Sequence, residues 1–217
     1  MISVSAPVPS QLSIDHLVYA VPDLDRGVDD LERRLGVRAS PGGQHTGEGT
    51  RNALLALGPA TYLEIVGPDP AQAAPASPRW FGIDPFGEPR LAAWAACAAD
   101  LDRLRATAVR AGVPLGGLSS GSRRRADGAL LSWRFTNPRT VVADGLVPFL
   151  IDWGGSPHPA RAAAQGLRLV ELRAEHPDPA TVEPMLRALG LDLEVTKAPV
   201  PALVAVIDGP RGAVEVR

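Results

Sequence analysis

The chain has 217 residues, 45% of them hydrophobic, with a formal net charge of −2 and a pI near 6.1. That is enough apolar material for one large or two small domains with a real core, and it leaves no overall basic field for nucleic acid or anionic lipid. No apolar run reaches bilayer length, and the opening MISVSAPVPSQLS lacks the charged and apolar regions of a secretory signal, so a cytoplasmic location with no membrane partner is the expectation.

After a proline-bearing arm over residues 1–11, the run IDHLVYAV at 14–21 is rich in β-formers and predicts a strand. Pro22-Asp23 ends it. A helix is predicted over 24–35, with Asp23 as N-cap, Val28, Leu31 and Leu35 on one face, and Gly36 as the closing glycine. Residues 37–49 carry Pro41 and four glycines, which predicts one short strand and then a loop. Two strands at 53–57 and 61–66 flank the turn Gly58-Pro59-Ala60. This first unit reads β-α-β-β-β.

Residues 67–90 have the Pro and Ala content of a linker, yet hold Trp80, Phe81 and Phe86, so the segment is either pinned to the body or lies as a lid over a pocket. A second unit starts with a strand at 91–98, whose Cys97 has no disulfide partner and is expected to be a small buried core residue. Asp100 opens a helix that runs to about Gly112, a Gly/Ser/Arg loop follows, and strands are predicted at 130–135 and 147–153. Residues 154–166, with His158, form a second linker. A third, shorter unit fits into the last 50 or so residues: strand 167–174, helix 179–189 closed by Gly190, and strands at 191–196, 202–208 and 212–216.

The punctuation repeats. Pro22-Asp23-Leu24-Asp25 returns as Ala99-Asp100-Leu101-Asp102, Val21-Pro22-Asp23 returns as His176-Pro177-Asp178, and Leu57-Gly58-Pro59 returns as Asp208-Gly209-Pro210. Two residues of the first unit carry chemistry, His16 in its first strand and Glu64 in its last. An imidazole and a carboxylate brought together from separate strands bind a divalent cation or move a proton. Glu64 stands in the apolar string LEIV, where a carboxylate needs a cation, an arginine or a proton as partner. There is no glycine-rich phosphate loop followed by a helix, no nucleophile elbow and no closely spaced Cys or His pair, which argues against nucleotide-binding and hydrolase readings.

The strings IDHLVYAVPDLD, GTRNALLALG, YLEIVG, RWFG, SRRRADGALLSWRF and VPFLIDWG, with the β-α-β-β-β succession, resemble the glyoxalase-like domain proteins of the vicinal oxygen chelate superfamily, which includes glyoxalase I, extradiol dioxygenases and bleomycin-resistance proteins. The resemblance implies an α+β fold, with repeated βαβββ units forming curled mixed sheets and helices packed outside. Units one and two are expected to pair over residues 12–155, with the third unit at 167–217. It also implies a concave face that binds a metal through first-strand and last-strand side chains, carried here onto His16 and Glu64, with Glu64 as ligand or catalytic base.

In the second unit the position equivalent to His16 is Ala93, and the equivalent of Glu64 falls at Ile151 or Asp152, so Asp152 is a possible third ligand. If unit one pairs with unit three instead, Glu171 and Glu215 take those positions. The implied cofactor is a divalent ion, Zn, Ni, Fe, Mn or Mg, and the implied reaction polarises vicinal oxygens of a small oxygen-rich substrate through an enediolate-type or chelated intermediate. A metal-free small-molecule binder of the resistance-protein type is the alternative, favoured by Ala93. Arg123, Arg125 and Arg134 flank a turn at Asp127-Gly128 and are candidates to clamp a substrate carboxylate or phosphate; Arg51 and Asn52 enter a strand lining the same cup. His45, His158 and His176 fall in loops and read as solvent-exposed. An odd number of units raises the possibility of a homodimer through the third.

Overall fold

Residues Leu17 to Val21 are all buried, as expected of a central strand covered on both faces. All but Val21 belong to β1 (Ser13–Ala20), the middle of a computed structural model that describes residues 12–84, 87–124 and 130–217. Helix α1 (Leu24–Leu35) follows because its ends are specified. The Asp23 carboxylate accepts from the Arg26 amide at 3.1 Å, and Gly36 takes φ 84° while its N–H bonds the Glu32 carbonyl. Leu24, Val28, Leu31 and Leu35 form its buried stripe.

Strands β2 (Ser40–His45), β3 (Thr50–Gly58) and β4 (Thr61–Pro68) complete the first unit. The second comprises β5 (Arg90–Cys97), α2 (Leu101–Arg110), β6 (Leu118–Arg124), β7 (Leu130–Thr136) and β8 (Phe149–Asp152). The two units share one sheet in the order β2-β3-β4-β1-β5-β8-β7-β6. Within each unit the first strand runs parallel to the last, and β1 meets β5 antiparallel at the centre. The sheet curls until its edges, β2 and β6, lie side by side, although no backbone hydrogen bond joins them among the described residues. One face, with Leu17, Tyr19, Leu55, Leu63, Ile65, Trp94 and Leu150, packs with the buried residues of α1 and α2 into the main core. The other face lines a cup.

Two expectations change here. The Gly/Ser/Arg stretch is not simply a loop, since Leu118–Arg124 forms the edge strand β6. Its sequence, LSSGSRR, has no β-branched or aromatic residue, and pairing with β7 from Leu118↔Thr136 to Arg124↔Leu130 supplies what propensity does not. Cys97 is exposed rather than buried, because Ala96 and Ala98 turn into the core and alternation turns Cys97 the other way, at the strand end opposite Ser13.

The third unit, β9 (Arg168–His176), α3 (Pro179–Ala188), β10 (Glu194–Lys197), β11 (Ala202–Gly209) and β12 (Gly212–Val216), repeats the order of elements but not of strands. It forms a separate sheet, β10-β9-β11-β12, in which β9 pairs parallel with β10 and its last strand lies at an edge. Its apolar residues Leu203, Ala205, Ile207 and Val216 join the same cluster as Leu35 of α1. Arg34 donates to the Glu215 carbonyl at 2.6 Å, and Gly209 comes so close to α1 that a Cβ there would lie 2.8 Å from the Leu35 carbonyl oxygen.

Candidate functional site

Strand alternation sends His16 and Val18 of β1, Asn52 and Leu54 of β3, and Tyr62, Glu64 and Val66 of β4 to the concave face. The register sets Val18 opposite Glu64 and His16 opposite Tyr62. His16 Nε2 and Glu64 Oε2 face each other at 3.7 Å, both side chains nearly enclosed. The imidazole is stacked on Tyr62, with ring centroids 4.7 Å apart, and meets Phe149 edge-on. Burial, with the Glu64 and Asp15 carboxylates nearby, pushes the Tyr62 phenol well above its usual pKa, so it stays neutral.

A residue that strand alternation alone hides completes this group. The β1–β5 register shifts between Ile14 and His16, and Asp15 is the extra residue of that bulge. Freed from the ladder, its fully buried carboxylate accepts from His16 Nδ1 at 2.7 Å, from Trp153 Nε1 at 3.0 Å and from His158 Nε2 at 3.2 Å. Burial alone would raise its pKa, but the hydrogen bonds and charges of His158 and His16 outweigh this, and the carboxyl titrates at about 2. With Asp15 ionised, His16 carries its proton on Nδ1 and presents Nε2 to the cup. The aspartate next to the histidine was visible in sequence; the bulge that makes the two neighbours touch was not.

The loop histidines are corrected. His45 ends β2 and is buried, with Nε2 3.5 Å from Glu64 Oε1 and Nδ1 3.0 Å from the Thr50 hydroxyl. Burial holds its pKa below the ordinary value, against the pull of Glu64. His158 is mostly buried on Asp15, and His176, the last residue of β9, lies 3.6 Å from Asp144. A glycine-rich edge strand gives no hydrophobic period, which is why His45 reads as a loop residue.

Asn52 donates to Glu64 Oε1 at 2.5 Å and lies 3.3 Å from His45 Nε2. Arg123 reaches from edge strand β6 across to this group, donating to Asn52 Oδ1 at 3.4 Å. Gly42 of β2 leaves room for the contact: a Cβ there would stand 2.1 Å from Asn52 Oδ1 and 2.8 Å from Arg123 Nη1. Of the other arginines, Arg134 makes a two-pronged pair with Asp102 of α2, and Arg51 pairs with Asp25 of α1, so neither clamps the cup. Arg125 and Phe86 lie outside the described residues.

The second unit supplies the aromatic wall: Trp133, Phe135, Phe149, Ile151 and Trp153. Trp80 and Phe81 of the 67–90 segment lean over it, Trp80 against His45 and Phe135, Phe81 against Phe149. What remains beside Glu64 is a chamber of about 40 Å³.

The register corrects the expected equivalence between units. Val18 lies two residues beyond His16 and pairs with Glu64; Ala95 lies two beyond Ala93 and pairs with Phe149. Phe149, rather than Ile151 or Asp152, stands where Glu64 stands in the first unit. Asp152 faces away from the cup, accepting from the Gly154 amide, and pairs in register with Arg134. Glu171 and Glu215 belong to the separate sheet, where both pair with Arg173. Their match to His16 and Glu64 fails because β12 lies beside β11 and not beside β9.

Among the described residues no three His, Cys, Asp or Glu side chains are placed to hold a metal ion. His16, His45 and Glu64 all line the chamber but are not gathered into a ligand set, the second unit adds no donor at Ala93 or Phe149, and the guanidinium of Arg123 is a fixed cation in the same chamber. This donor set does not fit a resident divalent metal.

A family model described as a glyoxalase-like domain matches residues 14–190. No curated protein matches the chain. Among solved structures, a hypothetical protein from Staphylococcus aureus superposes with a TM-score of 0.70 over 93% of this chain and 92% of its own, at 14% identity, a likeness of fold. A methylmalonyl-CoA epimerase variant from Streptomyces coelicolor, in complex with 2-nitronate-propionyl-CoA, is 24% identical, with 68% of this chain and 98% of that one covered and a TM-score of 0.47. The methylmalonyl-CoA epimerase of Mycobacterium tuberculosis is 22% identical, with 72% and 97% covered and a TM-score of 0.45.

Proposed function

Since the chain belongs to the glyoxalase-like domain family of the vicinal oxygen chelate superfamily, we propose that its cup takes up a small oxygen-rich molecule and moves a proton on it, with Glu64 as the base. The observation that carries this reading is the pair Glu64 Oε2 and His16 Nε2, 3.7 Å apart on the floor of an aromatic chamber, with Asp15 fixing the imidazole from behind. A carboxylate held by Asn52 in a water-poor site is suited to take a proton from carbon beside a carbonyl. The electron pair of the broken C–H bond then becomes the C=C bond of an enediolate, and the negative charge moves to the substrate oxygen. The Arg123 guanidinium, which lines the same chamber, supplies N–H donors for that oxygen, and the Glu64 carboxyl, now protonated, returns the proton to carbon. This assigns to Arg123 the electrostatic work that a divalent ion was expected to do.

The reading is tested by incubating the protein in D2O with a set of small 2-oxo and 2-hydroxy acids and aldehydes and following loss of the proton beside the carbonyl by NMR. Glu64→Gln should slow exchange by about 10²-fold or more, with wild-type thermal stability as the control for folding. Metal analysis of protein purified without chelators belongs to the same test. One equivalent of divalent metal per chain, with exchange abolished by its removal, replaces this reading with the metal-dependent one.

A second reading, sequestration of a small molecule without chemistry, is favoured by the apolar Ala93 and Phe149 in the second unit. Ligands that raise the melting temperature with and without added divalent ions, yet show no exchange, would select it.

A further inference from the structure

The chamber beside Glu64 is too small for a whole substrate. On the same measure one water needs roughly 10–15 Å³, so the chamber's 40 Å³ has room for about three. Only a reactive end of a few atoms enters, and the remainder of the molecule must lie elsewhere.

A groove of about 560 Å³ runs outward along β6 and β7 and shares His45, Trp80, Arg123, Trp133 and Phe135 with the chamber wall. Its further lining is polar: Thr46, Ser119, Ser120, Ser122 and Asn137. Of its charges, Arg139 and Glu48 neutralise each other, while Arg123, at the chamber end, has the neutral Asn52 as partner. Arg139 donates to Glu48 at 2.5 Å and to the Pro78 carbonyl. The two tryptophans give flat apolar faces. Trp133 lies directly over Gly121, where a Cβ would stand only 2.5 Å from its ring. Because β6 is an edge strand, its outward backbone groups add donors and acceptors along the groove.

Hydroxyls, the Asn137 amide and the neutralised Arg139–Glu48 pair beside indole faces suit a ligand tail that is uncharged, rich in hydroxyls and apolar on one face. From this we infer that the groove binds a glycosyl or polyol portion of the substrate, whose oxygen-bearing end enters the chamber. The inference rests on the chamber being the reactive site. An anionic tail would meet Arg139 already paired with Glu48, since Arg123 lies at the chamber end where the reactive oxygen takes it, and a long alkyl tail would bury the serine hydroxyls without partners.

The test uses the full chain labelled with ¹⁵N, with tryptophan indole signals assigned by single Trp→Phe substitutions. It is titrated with a panel of phenyl glycosides of hexoses and pentoses, with inositol, and with inorganic pyrophosphate. Saturable shifts of the Trp80 and Trp133 signals with at least one neutral polyol, and none with pyrophosphate, are expected. Ser119→Phe, at a half-buried position on the groove wall, should weaken that binding at least tenfold while the melting temperature stays near wild type.

No saturable shift across the neutral panel, shifts with pyrophosphate alone, or shifts unchanged by Ser119→Phe overturn the inference. Glu64→Gln should leave polyol binding within about twofold while stopping proton exchange. Polyol binding without exchange in wild type would sink the reaction and keep the groove, and exchange without polyol binding would do the reverse.

Discussion

Asp15 shows how much a single residue gains from its surroundings. Its folded pKa is about 2 against an ordinary 3.8, a depressed carboxylate, so its contribution to stability is present above pH 3.8 and is lost as pH falls toward 2. The difference corresponds to about 2 kcal/mol. Thermal unfolding of wild type should therefore weaken by that amount between pH 4 and pH 2, and the slope should flatten in Asp15→Asn. His45 acts in the opposite range. Its folded pKa is lowered, so the unfolded chain binds the extra proton and stability declines as pH drops below about 6.5. In His45→Phe that part of the pH dependence should vanish in the same measurement. His16 and Glu64 were legible in the sequence because each interrupts a run of apolar β-formers. Asp15 and His45 were not, since one acts through a bulge and the other closes a strand of glycines.

Among elements, the helices were the more legible. Asp23 and Gly36 mark the ends of α1, and Asp23→Ala should cost about 1 kcal/mol by denaturant unfolding because the Arg26 amide loses its acceptor. Strand β6 was illegible, since its residues have no preference for extended structure and its existence depends on β7. Gly121 shows what β6 does for the site. A methyl group there meets the Trp133 ring at 2.5 Å, so Gly121→Ala should destabilise by about 1–3 kcal/mol and shift the Trp133 fluorescence, with the other tryptophans little changed.

For the whole molecule, the sequence repeats gave three units, and the first two share both element order and strand order. The third keeps only the first of these, and residue patterns alone do not reveal which strand neighbours which. Its apolar face is covered within the chain by α1, so a chain ending at residue 166 loses Leu203, Ile207 and Val216 from the cluster around Leu35. Such a chain should bind a hydrophobic dye and lose its sharp melting transition. A truncated monomer that melts as cooperatively as the full chain would show that the shared cluster matters little.

The unjoined edges β2 and β6 have a mechanical consequence. Elsewhere in the large sheet, separating neighbours means breaking a ladder of backbone bonds; here the cup is held shut by side chains, among them Arg123 on Asn52 and Arg139 on Glu48, bonds whose net worth is about 1 kcal/mol each. The barrel therefore behaves as a sprung clip, able to part along one seam while the ladders of β4, β1, β5 and β8 stay intact. Amide hydrogen exchange should record this as fast exchange confined to β2 and β6 against slow exchange in the central strands. A bulky molecule can then reach a 40 Å³ chamber without any part of the core unfolding.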